Sequence, residues 1–151
     1  MLTFLVSLFT MLAAPAGLAT APAPGVADAA VSNRHLDWLG GTWRGNGLEM
    51  RCDPTKQGVS CSEEGTSEAM KGAKAELAFD AMGEKAVLEI VLPSIPPSRF
   101  TEVAREAQSV TFEMSTKAGT ARLRFTRIGD ALKVERGTAK GWANAMEYQR
   151  G

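Results

Sequence analysis

The chain has 151 residues, with 17 Lys or Arg balanced by 17 Asp or Glu, one His and two Cys. Interspersed charges that sum to zero exclude the basic footprint of a nucleic-acid binder and a polybasic membrane patch. The Cys pair brings no third or fourth ligand for zinc, and no cofactor motif stands out, so no metal and no cofactor is expected.

Met1 to Ala19 carries no charged side chain, and its apolar run from Leu2 to Ala14 has the length of a signal-peptide core. It falls short of the roughly 20 residues a membrane-spanning helix needs. Pro15 and Gly17 break the run, and Gly17-Leu18-Ala19 supplies small residues where a signal peptidase reads. Cleavage after Ala19 is expected, with Ala16, Ala21 and Ala23 as alternatives. No Lys or Arg precedes Leu2, which keeps an uncleaved anchor as the competing reading. No Cys precedes Cys52, so no lipid-modified amino terminus is expected. Thr20 to Val31, rich in Ala and Pro, buries too little apolar surface to offset its ordering entropy and reads as a flexible tether. Residues 32–151 then form one domain, placed in the periplasm or secreted, with no stable membrane insertion after cleavage.

A short helix is expected from Ser32, its N-cap, to Leu39, with Leu36 and Leu39 plugging one end of a barrel. Strand one begins at Trp43 and runs through Gly45, Gly47, Leu48 and Met50 to Cys52. Its apolar phase shifts at Asn46-Gly47, where a bulge or bend is expected. Asp53-Pro54 and Gly58 make a turn into Val59–Thr66, a weakly patterned edge or mouth strand. That turn sets Cys52 opposite Cys61, and an exported hairpin favours a disulfide between them. Ala75, Leu77 and Phe79 alternate cleanly, and so do Ala86, Leu88, Ile90 and Leu92 after a turn at Met82-Gly83.

Pro93, Pro96 and Pro97 cannot donate to a ladder, so Leu92 to Ser98 reads as a protruding loop. Arg99 to Arg105 fits neither phase well. Clear alternation returns in Val110, Phe112 and Met114, then Ala121, Leu123 and Phe125, then Leu132 and Val134. Gly129-Asp130 makes the hairpin turn before Leu132, while Gly137, Lys140 and Gly141 are turn chemistry, not a phosphate cradle. The final strand, Trp142 to Gln149, puts Trp142, Met146 and Tyr148 in one phase. Short links between sequential strands favour an all-β, antiparallel up-and-down barrel of about 8–10 strands.

Leu36-Asp37-Trp38-Leu39-Gly40-Gly41-Thr42-Trp43, a short helix feeding a Gly-x-Trp strand, resembles the opening of lipocalins and other calycin barrels. It is more closely similar to a bacterial family of exported lipocalin-like domains of unknown function with a Trp-Leu-Ala/Gly-Gly-x-Trp opening. The match covers Leu36 to Gly45 and, more loosely, Val110 to Gly137. The resemblance implies that Trp43 closes the barrel floor under an Arg near the last strand, for which Arg150 and Arg124 are the candidates. Members of that family often carry Cys in place of Thr42 and a His-containing stretch in place of Met114 to Thr120. A function tied to that His would be absent or altered here.

Catalytic readings are weak. His35 beside Asp37 and Ser32 suggests a triad, but side chains so close on one turn point apart. Haem ligation would need a His on an inner wall. Of Glu63 and Glu64 only one can face inward, and a solvated face is the expectation for a set with Glu102. Glu102, Arg136 and Asn144 share phase with inner apolar residues, either as structural pairs or as ligand contacts. The leading expectation is a non-enzymatic carrier or sensor of a small apolar ligand, touched by Leu88, Phe112, Phe125, Arg136, Trp142 and Asn144. The alternative is an inhibitor or interaction module for an exported hydrolase. A hollow interior favours the first. A filled interior with an apolar patch around Ile95-Pro96-Pro97 favours the second.

Overall fold

The computed structural model describes residues 34–151. The expected signal peptide, tether and Ser32 cap lie outside the described residues. The chain forms ten strands: β1 (Gly41–Gly45), β2 (Leu48–Pro54), β3 (Gly58–Gly65), β4 (Lys74–Asp80), β5 (Val87–Leu92), β6 (Ile95–Glu106), β7 (Ser109–Thr116), β8 (Gly119–Ile128), β9 (Ala131–Thr138) and β10 (Gly141–Arg150). Each pairs antiparallel with the next, and β10 pairs with β1, so the sheet is a closed up-and-down barrel. Closure leaves no edge, which removes the expected edge role of β3.

The expected first strand is in fact two. Asn46 and Gly47, at φ 55° and 74°, form a two-residue hairpin turn of the primed type, and Gly45 pairs with Leu48 across it. Left-handed backbone at both positions is what Asn-Gly tolerates best. The phase shift there is a reversal of direction, not a bulge. The expected Pro-rich loop is also a hairpin: Leu92 pairs with Ile95 around Pro93-Ser94, and β6 runs the full length from Ile95 to Glu106. Pro96 and Pro97 sit where the β5–β6 register shifts, between Ile90 and Leu92, so their missing N–H groups coincide with an irregular stretch of ladder. A second register shift on β6, between Glu102 and Ala104, explains the mixed phase around Val103.

Alternation decides which wall each residue joins. Ala75, Leu77 and Phe79 on β4 are buried while Lys74, Glu76 and Asp80 are exposed. On the outer wall opposite charges face each other across strands, Arg44 with Glu49, Glu113 with Arg122 and Arg124 with Glu135. These cross-strand pairs place opposite charges side by side on the outer wall.

One end of the barrel is sealed. The described chain enters through a turn and a 3₁₀ turn, Asp37–Leu39, in place of a longer helix. Leu36, Leu39 and Trp43 there are completely buried. The Trp43 indole N–H donates to the Leu39 carbonyl at 2.7 Å. The Arg150 guanidinium lies 4.7 Å from the ring and donates to the Gly40 carbonyl, while Arg127 stands 5.9 Å away. Of the two Arg candidates for this place, Arg150 fills it and Arg124 stands elsewhere. Above the seal Phe79, Phe112 and Phe125 pack with centroids 5.2–6.2 Å apart, two of the three contacts edge to face. Cys52 and Cys61, directly paired across β2 and β3, are bonded.

Trp43→Ala removes the centre of this seal and should cost about 3–5 kcal/mol, read as a lower denaturation midpoint in urea. An unchanged midpoint would show that Trp43 is not part of the stabilising core. Thiol titration of the denatured, unreduced protein is expected to find no free sulfhydryl from Cys52 or Cys61.

Candidate functional site

The interior is packed at the sealed end and hollow at the other. The upper half contains a cavity of about 340 Å³ that opens to solvent at the mouth. Leu77, Ile90, Phe100, Leu123, Phe125, Val134 and Met146 form most of its wall. They come from β4, β5, β6, β8, β9 and β10, so no pair of neighbouring strands makes the site alone. The volume lies at the small end for ligand pockets, with room for on the order of ten non-hydrogen atoms.

Two polar groups, bonded to each other, face this apolar cup. Tyr148 on β10 is 1% exposed, and its hydroxyl donates to the Glu63 carboxylate at 2.7 Å. The bond reaches from β10 past β1 and β2 to β3, beside Met146 and Met50, both of which line the cavity. Burial, and next the Glu63 carboxylate, push the Tyr148 phenol above its ordinary value, so it stays a neutral donor. Arg136 on β9 also lines the cavity but is exposed at the rim. Glu63 points inward and Glu64 is exposed, as alternation requires, yet Glu63 is a cavity residue and not part of a solvated face.

The expected ligand-contact residues separate into distinct environments. Phe125 and Arg136 line the cavity. Leu88 and Phe112, both completely buried, belong to the packed layer beneath it. Asn144 is exposed and does not line the cavity. Trp142 is on the outer wall, because a register shift between Trp142 and Asn144 turns it out of phase with Met146 and Tyr148. There it stacks with Arg124 at 4.3 Å and Arg122 at 5.0 Å. These contacts bound one side of a shallow, mainly polar groove that also includes Glu135.

Glu102 is a structural residue. Its buried carboxylate accepts from the Ala86 amide at 2.7 Å and from Arg105 at 2.6 Å, tying β6 to the start of β5. His35 Nε2 stands 3.8 Å from the same carboxylate, while Asp37 is exposed, so His35 and Asp37 form no catalytic pair. Among the described residues no cluster of three or more His, Cys, Asp or Glu is arranged to hold a metal.

Sequence reasoning missed Glu63 and the polar role of Tyr148. Alternation allowed Glu63 to face inward, but nothing local could show that its partner would come from β10. The chain matches no family model, no curated protein and no solved structure.

The raised phenol sets an alkaline dependence. Below the unfolded value near 10 both states hold the proton. Above it only the unfolded chain loses the proton, so stability falls as pH rises toward the raised folded value. Tyr148→Phe is expected to flatten this decline in urea melts between about pH 9.5 and 11. An identical alkaline slope in the variant would show that the phenol does not carry the effect.

Proposed function

We propose that the protein is an exported, lipocalin-like binding protein whose half-hollow barrel carries or senses a small, mainly apolar molecule. The carrying observation is the open cup of about 340 Å³. An apolar body entering it gains about 25 cal/mol for each Å² removed from water. The Trp43–Arg150 seal supports the lipocalin-like part of the reading, since a binding barrel must be closed at one end to hold its ligand. The apolar Leu2–Ala14 run supports export, as does a disulfide of the kind oxidising compartments preserve.

A second reading, an inhibitor or interaction module for an exported hydrolase, draws on the exposed apolar side chains Val91, Leu92 and Ile95. They surround the β5–β6 hairpin at the mouth. Leu92 also lines the cup, which favours the lip as the cup's entrance.

Ala121→Phe, projecting into the cup, is the test. It should weaken binding of 1-hexanol at least about tenfold in an NMR titration while the barrel stays folded, because the added ring occupies ligand volume. Unchanged hexanol affinity would sink the carrier reading. The second reading predicts inhibition of a lysozyme or secreted protease that is lost in Ile95→Ser and on deletion of Thr20 to Val31.

A further inference from the structure

We infer that the cup selects an organic cation, a small molecule with an apolar body and a protonated amine directed at Glu63. This rests on the small-ligand reading and adds the chemistry of the ligand's polar end.

Glu63 is the one carboxylate among the cavity-lining residues. Its single hydrogen bond in the described structure comes from the neutral Tyr148 hydroxyl, and no Lys or Arg nitrogen of the described residues lies within 4 Å of it. The buried Glu102 and three half-buried or buried carboxylates of the outer wall are treated differently. Glu102 has Arg105, Glu135 has Arg124 and Lys133, Glu113 has Arg122, and Glu49 has Arg44 and Arg51. Glu63 differs from these acids in facing the cup with no Lys or Arg of the described residues beside it.

Geometry also fixes how the acid is presented. Tyr148 donates to Oε2, which holds the carboxylate in place and leaves Oε1 with lone-pair capacity for a donor. Both walls around it are apolar, so a cation bound there is screened less than one at the surface. An ammonium donates charge-assisted hydrogen bonds, about twice as strong as neutral ones. Met50 and Met146, beside the Tyr148–Glu63 bond, offer polarisable sulfur to the first methylenes of the tail.

Arg136 and Arg122 also line the cavity, and a guanidinium there would welcome a carboxylate. Arg136, near enough to act on the Tyr148 hydroxyl, is exposed to screening by water and salt, and Arg122 is paired with Glu113, whereas Glu63 is half-buried within the cup. A carboxylate ligand long enough to reach the apolar wall would also bring its charge past Glu63. The more buried group with no ion partner decides the sign.

Three probes of equal tail length separate the possibilities: n-hexylammonium, 1-hexanol and hexanoate, titrated into the full-length protein by NMR at neutral pH. Hexylammonium is expected to bind roughly tenfold more tightly than hexanol, and hexanoate more weakly than either. Glu63→Gln keeps an acceptor for Tyr148 but removes the charge, and should bring hexylammonium and hexanol to equal affinity. Arg136→Gln should tighten hexylammonium by a few-fold by removing the rim's positive charge. A thermal melt of each variant verifies the fold. The inference is overturned if hexylammonium binds no better than hexanol, if hexanoate binds best, or if the amine preference survives in Glu63→Gln. Hexanol binding without amine preference leaves the carrier reading standing and removes only the cation. Failure of all three probes removes both.

Discussion

The first and last strands meet at Trp43, and the barrel depends on that meeting. β1 is only five residues long and pairs with β10 through Trp43 opposite Arg150 and Arg44 opposite Gln149. So short a seam needs reinforcement from outside the ladder. The Trp43 indole bonds to Leu39, Arg150 covers the ring and holds the Gly40 carbonyl, and the Gly151 amide bonds to Thr42. Asn46 adds a side-chain bond to the Glu147 carbonyl. Gly45 lets the strands approach this closely: a Cβ there would lie 2.2 Å from the Glu147 oxygen. Opening the seam would expose two strand edges and unseal the floor together.

A closed barrel of ten strands encloses more volume than its inward side chains fill, and this chain resolves the surplus asymmetrically. Large side chains concentrate near the seal, where Phe79, Phe112 and Phe125 interlock above Trp43, Leu36 and Leu39. Toward the mouth the inward positions become smaller or longer and thinner, with Ala75, Ala121, Met50 and Met146. Tyr148 and Glu63, bonded to each other, also line the cup. A cavity in a core lowers stability because its lining loses packing partners.

Register shifts then decide which chemistry each wall receives. The shift on β6 allows Glu102 to stay inside while Arg105, three residues on, returns to it. The shift between β9 and β10 sends Trp142 outward onto two arginines while Met146 and Tyr148 remain within. One additional residue in a strand therefore exchanges a cavity aromatic for a surface one, with no change in composition.

Most of the barrel was legible in the sequence because period-two alternation is a local property. Leu77 and Phe79, Phe112, Leu123 and Phe125, and Leu132 and Val134 were all readable as inward from their neighbours alone, and the Cys pair followed from the turn between its strands. Turn chemistry was legible too, though at Asn46-Gly47 the strongest hairpin signal reads as a bend because the strand before it is so short. Residues flanking a bulge were not legible, since an extra residue leaves no mark except a phase that fits neither face. Nor was the site. Glu63 and Tyr148 are 85 residues apart and meet only because the tenth strand closes on the first. The sequence by itself determined which residues face inward along each regular strand. Only the closed tertiary structure decided which of them meet across the interior and where the space between them is left unfilled, because those distances depend on the curvature of the whole sheet.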